Sequence, residues 1–163
     1  MGRNQVKCHG DDTRFEILAE YIYDNFGSSV KYIADVAGGQ GNLSRILNKR
    51  YNYEAEVIDP RHYVIKGVSH RECEYTPDMA DYYDLIVGLH PDQATRPVAE
   101  SAFFRPVVIV PCCNFWDSSR KLGSKAIAEE IFSYYNENHI ACKMEQLKFS
   151  YPNFVVVAKG KKK

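Results

Sequence analysis

A short apolar run, Ile33-Ala34-Asp35-Val36, gives way to Ala37-Gly38-Gly39-Gln40-Gly41 and then to Asn42-Leu43-Ser44, where a helical pattern begins. A strand that turns this sharply into a helix needs residues without side chains wherever the backbone approaches itself or a ligand. Further on, the run Val57-Ile58 ends at Asp59. In an open parallel sheet, an acid at the tip of the second strand stands where ribose hydroxyls are presented. The glycines alone also suit a plain strand-to-helix turn. Asp59 downstream favours a nucleotide-like ligand over that turn.

The spacing discriminates among such ligands. A nicotinamide or flavin dinucleotide site uses G-x-G-x-x-G/A, whose last small residue lets the helix pack closely on the strand. Gly39 and Gly41 fit, but Ser44 holds the third place. A phosphate loop of the form G-x-x-x-x-G-K-[ST] occurs nowhere in the 163 residues. An NAD(P)-binding oxidoreductase is therefore the weaker expectation.

Around this turn the chain alternates. Thr13-Arg14-Phe15-Glu16 reads as a capping box, and Phe15, Leu18, Ile22 and Phe26 follow at helical spacing up to Gly27. Strands are expected over 31–36 and 54–58, with a helix between them burying Leu43, Ile46 and Leu47 and exposing Arg45, Lys49 and Arg50. A third strand falls between His62 and Tyr75, with too little chain before it for a long crossover helix. That leaves one flank of the ligand pocket thinly covered. Buried strands are expected at Tyr83–Leu89 and Pro106–Val110, separated by a helical pattern from Gln93 to Phe103. A helix over 122–136 turns Ile127, Ile131, Tyr134 and Tyr135 inward. Cys142–Ser150 and Tyr151–Ala158 close the chain as antiparallel strands joined by almost no loop. The expected fold is α/β, a three-layer sandwich. Its sheet is mostly parallel and seven-stranded, with a C-terminal antiparallel hairpin, in one domain spanning 1–163.

An acid followed by alternating glycines, then Asp59, then a final strand Pro152-Asn153-Phe154-Val155-Val156-Val157-Ala158 resembles the Rossmann-like (class I) S-adenosylmethionine-dependent methyltransferases. Ala37 stands where that family usually has its first glycine. The strings Leu89-His90-Pro91-Asp92-Gln93-Ala94-Thr95 and Pro111-Cys112-Cys113-Asn114 resemble a subgroup with L-H-x-C-x-x-A-T and P-C-C motifs, which includes transfer-RNA ribose methyltransferases. Asp92 and Asn114 depart from the subgroup's cysteine and histidine. The resemblance implies S-adenosyl-L-methionine as cofactor, bound through Asp35, Ala37, Gly38, Gly39, Gly41, Asn42, Asp59, Asp78, Met79, Leu89 and Arg14. Asp59 would accept from the ribose, and Asp78 and Met79 would flank the adenine. A plain Pro-Asp turn at Pro77-Asp78 is the other reading of that pair. Arg14, with Lys7 and His9, would close over the methionine carboxylate.

The loop after the fourth strand is where such enzymes face the reactive methyl, which makes His90 and Asp92 the candidate catalytic residues. His90 has the intrinsic pKa to take a proton from a hydroxyl acceptor; a hydrogen-bonded structural histidine is the equal alternative. No metal is expected. Adjacent Cys112 and Cys113 hold one ion awkwardly, and neither C-x-x-C nor H-x-x-x-H completes a ligand set; Cys8-His9 is too little by itself.

Composition bounds the partners. Lys and Arg (21) balance Asp and Glu (21), which opposes nonspecific nucleic-acid binding by the whole surface. A local patch from Arg45, Lys49, Arg50, Arg61, Arg96, Arg120 and Lys121 would still let RNA serve as acceptor. Five scattered cysteines argue against a disulfide framework and suit a reducing cytoplasm. No apolar stretch reaches the length of a membrane span. Two function classes remain: a methyltransferase with an unidentified acceptor, or a non-catalytic cofactor-binding scaffold or partner subunit.

Overall fold

The computed structural model describes residues 11–160. Cys8, and the Lys7 and His9 expected near the site, lie outside them. The described chain runs α1 (Thr13–Phe26), β1 (Tyr32–Val36), α2 (Asn42–Tyr51), β2 (Glu54–Ile58), β3 (His70–Arg71), β4 (Leu85–Leu89), α3 (Thr95–Glu100), β5 (Val107–Val110), α4 (Ser124–Glu137), β6 (Cys142–Gln146) and β7 (Phe154–Ala158). The sheet is seven-stranded in the order β3-β2-β1-β4-β5-β7-β6. Strands β1 to β5 pair in parallel; β7 pairs antiparallel with both β5 and β6. The order reverses between β1 and β4, so a crevice opens at their carboxyl ends.

Alternation along the strands divides the core in two. Ile33, Leu85, Val87, Val108 and Val155 point to one face and pack with Leu18 and Ile22 of α1 and Leu43 and Leu47 of α2. Ala34, Val36, Ile58, Ile86, Ile109 and Val156 point to the other and meet Val98 and Ala99 of α3 and Ile127, Ile131 and Tyr135 of α4. The Tyr135 hydroxyl donates to the Ala99 carbonyl at 2.8 Å, tying α4 to α3. Each fully buried large side chain contributes about 1.5–3 kcal/mol through removal from water.

Three local expectations need correction. The cap of α1 is not Thr13, which is already helical. The Asp11 carboxylate accepts its N–H at 3.0 Å and its hydroxyl at 2.6 Å, and these bonds help hold the Asp11 carboxyl down to about 2. Tyr134 is only half-buried, because it meets the Trp116 ring edge-on (centroids 5.3 Å apart) rather than entering the core. The closing strands are joined by a real loop, residues 147–153, and not by a tight turn. Leu147 and Phe149 of that loop are buried, and the Asn153 amide donates to both of their carbonyls, so its chain is anchored instead of extended.

Between β2 and β3 the crossover helix is indeed missing. The intervening loop folds back over the glycine turn: the Ile65 N–H donates to the Gln40 carbonyl at 2.9 Å, and Val68 covers Gly41. This loop covers the glycine turn through the Ile65 backbone and the Val68 side chain.

Candidate functional site

The turn after β1 is shaped by what lies under it. Asp35 is 1% exposed and accepts the Ser44 hydroxyl at 2.8 Å. A Cβ on Gly38 would sit 2.6 Å from this carboxylate, so no side chain fits there. Gly41 combines φ +88 with Val68 only 2.9 Å from an added Cβ, which excludes other residues twice over. Ala37 tolerates φ +55, which a methyl group permits at a modest cost. Gly39 differs from the other two: an added Cβ would meet nothing nearer than an Arg61 nitrogen at 3.9 Å, so the turn's upper side is open. Ser44, the residue that breaks the dinucleotide pattern, holds the buried acid that supports the turn. Burial pushes the Asp35 carboxyl up to about 6; hydrogen bonds from Ser44 offset part of the effect and the Asp59 charge adds to it.

Asp59 stands at the tip of β2, also 1% exposed. It accepts the Gly39 N–H at 3.1 Å, which fastens the glycine turn to the acid. Arg61 supplies its own N–H (2.8 Å), Nε (3.0 Å) and Nη2 (2.8 Å) to the same carboxylate. Burial raises the Asp59 pKa, but these donors outweigh it and hold the group below its ordinary value. Two carboxylate oxygens have room for about four such bonds, and all four places are taken. Arg61, expected to reach toward phosphates, is therefore committed to Asp59. The i, i+2 spacing in Asp59-Pro60-Arg61 was the sequence signal for that fork.

A cavity of about 710 Å³ opens beside the turn, lined by Ala37, Asp59 and Arg61 on one side and by Asp92, Cys113 and Phe115 on the other. Glu74 and Tyr75 line it where the sequence reading placed Asp78 and Met79. The latter pair sits on the 3₁₀ turn Pro77–Tyr82, away from the lining: Asp78 is exposed and accepts the Thr76 hydroxyl, while Met79 packs against the α3–α4 core. Tyr75 was not foreseen. It is buried, shares a 2.6 Å hydrogen bond with the Ser101 hydroxyl, and is pushed up to about 12 by that burial.

On the far side, Leu89 ends β4 inside the core and is not on the cavity wall. His90 and Asp92 both adopt left-handed backbone, at φ +51 and +50. His90 donates Nε2–H to the Pro152 carbonyl at 2.9 Å, and burial together with the Arg14 charge keeps its pKa below the usual value. The ring is thus neutral at pH 7 and spends one nitrogen on the loop before β7. Arg14 itself donates to the Asp11 carbonyl at 2.9 Å and lies over the Phe15 ring. Asn42 opens α2 as a buried residue behind Gly41.

The cations proposed as a patch are mostly engaged. Arg50 pairs with Glu16, and Arg120 pairs with both Asp117 and Glu130. Arg96 lies 4.0 Å over the Trp116 ring and donates to its carbonyl. Cys73, Cys112, Cys113 and Cys142 are all free. Among the described residues no helix is long and apolar enough to cross a membrane.

No protein-family model matches this sequence, and no curated protein matches it either. Solved structures do. The methyltransferase domain of bacterial CtHen1 superposes with a TM-score of 0.62 at 13% identity, covering 90% of this chain and 97% of that one. The plantazolicin methyltransferase BpumL, in complex with SAH, gives 0.58 at 12% identity, with 92% and 86% covered. Geranyl diphosphate methyltransferase, in complex with SAM, gives 0.56 at 13%, with 89% and 84% covered. The fold is that of the Rossmann-like methyltransferases. At such identities the likeness concerns the fold, and the function has to be argued from the site.

Proposed function

We propose that this chain is an S-adenosylmethionine-dependent methyltransferase. Its cofactor would lie across the Gly38–Gly41 turn with its ribose at Asp59, and its acceptor would enter by the loops after β4 and β5. The observation that carries this reading is the Gly39 N–H to Asp59 bond, which joins the open turn and the acid at the switch in strand order. The neighbouring structures that hold SAH or SAM support the same choice of cofactor.

The bound cofactor would supply a sulfonium, whose methyl group is already activated toward a nucleophile. The protein's task is then to hold an acceptor in line and to exclude water. Asp59 would exchange donors from Arg61 for ribose hydroxyls, which the half-exposed Arg61 side chain permits by swinging outward. Tyr75 and Ile58 offer apolar wall to the base, and Asp92, Cys113 and Phe115 border the acceptor's path.

RNA as acceptor draws support from the sequence strings, whereas the paired state of Arg50, Arg61 and Arg120 speaks for an acceptor that needs fewer phosphate contacts. A non-catalytic scaffold is the second reading. It is favoured by one observation, the commitment of His90 Nε2 to Pro152, which removes one obvious base from the acceptor side. Calorimetry with S-adenosylmethionine and its demethylated product tests the cofactor site; absence of binding overturns the proposal. Labelled cofactor offered to total RNA, protein extract and small metabolites then separates enzyme from scaffold. Salt-insensitive transfer to a metabolite would remove RNA.

A further inference from the structure

The acceptor side carries a group of metal-ligating side chains that the glycine turn does not use and to which the methyl-transfer reading gives no ligand role. Asp92 follows β4, and Cys112 and Cys113 follow β5. These strands are parallel neighbours with Leu89 level with Val110, so both loops leave the sheet at the same height. A carboxylate oxygen of Asp92 and the Sγ atoms of both cysteines all lie within 4.8 Å of one another. Cys112 Sγ donates to Asp92 Oδ1 at 3.0 Å, so the thiol and the carboxylate already face each other. Around a four-coordinate zinc, with Zn–S about 2.3 Å and Zn–O about 2.1 Å, ligand atoms stand about 3.6–3.8 Å apart. The 3.0 Å contact and the 4.8 Å outer limit bracket that spacing.

The sequence argued against a metal because two adjacent cysteines offered an incomplete set with no partner motif. The fold supplies the missing ligand from a different loop, across a strand pairing that linear spacing does not register.

We propose that Asp92, Cys112 and Cys113 bind a thiophilic divalent cation, of the Zn²⁺ or Cd²⁺ type, on the wall of the cavity. Each ligating thiol gives its proton to solvent, leaving two thiolates and one carboxylate on the ion. The resulting net charge of about −1 lies near Arg61, whose guanidinium pairs with Asp59 and also interacts electrostatically with Asp92. Three protein ligands leave a fourth coordination place, as in catalytic zinc sites. Asp92 and Cys113 both line the cavity. An ion held by them would bind and acidify a thiol, hydroxyl or water entering there. The site does not depend on the methyl-transfer reading, because its ligands are outside the glycine turn and Asp59.

The test uses the full, reduced chain without cofactor. Cd²⁺ is titrated while thiolate-to-cadmium absorption is followed, and Zn²⁺ binding is measured by calorimetry. About one ion per chain is expected at micromolar affinity or better, with Cys113→Ser and Asp92→Asn each weakening it at least ~10-fold. Substituting Cys8, Cys73 and Cys142 by Ser should leave binding within ~2-fold. A second measurement needs no variant: Zn²⁺ should protect Cys112 and Cys113 from alkylation, read by peptide mass spectrometry, while exposed Cys73 keeps reacting. Absent thiolate absorption, absorption that survives loss of Cys112 and Cys113, or unchanged alkylation of that pair would each overturn the site.

Discussion

The two walls of the cavity are built on different principles. The β1–β2 wall is made of backbone: Gly38 and Gly41, where an added Cβ collides, and an acid whose four acceptor places are filled. The β4–β5 wall is made of side chains, with His90 and Asp92 in left-handed backbone and two free thiols beside an exposed Phe115. The first wall is held in one shape by steric exclusion around Gly38 and Gly41. The second keeps reactive groups within reach of varied ligands. On the proposed reading, the cofactor's place would be set by steric exclusion and the acceptor's place by exposed chemistry.

The sharpest way to break this contrast is at Gly38. Gly38→Val would drive a branched side chain into the buried Asp35 carboxylate, where even Cβ comes within 2.6 Å. A loss of about 3 kcal/mol or more is expected from overpacking and a displaced buried acid. Gly27→Ala serves as control. It adopts φ +51 with ψ −127, outside the left-handed helical region, but an added Cβ meets nothing within 4 Å, so only the backbone cost of about 1–3 kcal/mol applies. Denaturant midpoints for the two variants should differ clearly. Equal midpoints would mean the glycine turn is not sterically locked.

Asp35 gives the next effect, through pH. Its carboxyl is raised from 3.8 to about 6, chiefly by burial, so the folded state holds a proton that the unfolded state has already released. The stabilisation from this proton is complete below about pH 4. It is lost as pH rises through 6, and the contribution is flat above that. The sign follows from linkage, since the native state binds more protons in this window. The change amounts to about 2–3 kcal/mol at one pKa unit per 1.36 kcal/mol. Subtracting the stability curve of Asp35→Asn from that of the natural chain should isolate the decline. A difference curve that is level from pH 4 to 7 would show that burial does not hold the proton.

Substitutions at Asp59 and Arg61 should move cofactor affinity in opposite directions. Asp59→Ala removes the ribose acceptor and should weaken S-adenosylmethionine binding at least ~10-fold, about 1.4 kcal/mol or more. Arg61→Ala vacates the two side-chain donors on that carboxylate and keeps the backbone N–H, so the ribose has only the Gly39 and residue 61 N–H groups to share it with. A gain of about 2–5-fold is expected, reflecting the modest worth of a half-exposed ion pair. Calorimetry reads both. Weaker binding in Arg61→Ala would show instead that the guanidinium itself contacts the ligand.

Much of the β1–β2 wall was legible because its constraints are local. A strand ending in an acid and glycines can be read within a dozen residues, and Asp59 lies at a fixed reach from them. The mostly parallel sheet and the antiparallel close followed from the alternation of apolar runs, whereas the strand order came only with the structure. What escaped were relations between distant segments. The Asp92–Cys112 hydrogen bond joins two loops, the buried Tyr75 hydroxyl finds its partner in Ser101, and Val68 folds back over Gly41. The Asp78–Met79 assignment transferred a family position onto a segment that forms a 3₁₀ turn here, and Glu74 and Tyr75 stand on the wall instead. Charge was misread for a related reason. Arg50 and Arg120 look free in sequence, but Glu16 and Glu130 reach them from other elements, and Asp117, three residues before Arg120, closes on it locally.

The smallest effect concerns His90, and it decides whether the second wall contains a base. Its Nε2–H is spent on the Pro152 carbonyl, and its left-handed backbone is one that Asn adopts more readily than most residues. His90→Asn should therefore cost about 1 kcal/mol, the worth of one hydrogen bond. Cofactor affinity should stay within ~2-fold, because no cofactor contact is assigned to the ring. Turnover, measured on whichever acceptor the labelled cofactor identifies, should fall by less than ~10-fold. A positioned general base contributes about 10²–10⁴-fold. A drop of that size in kcat, in a variant that still folds and binds cofactor, would make His90 catalytic through Nδ1. The β4–β5 wall would then hold a trained base as well as a pair of thiols.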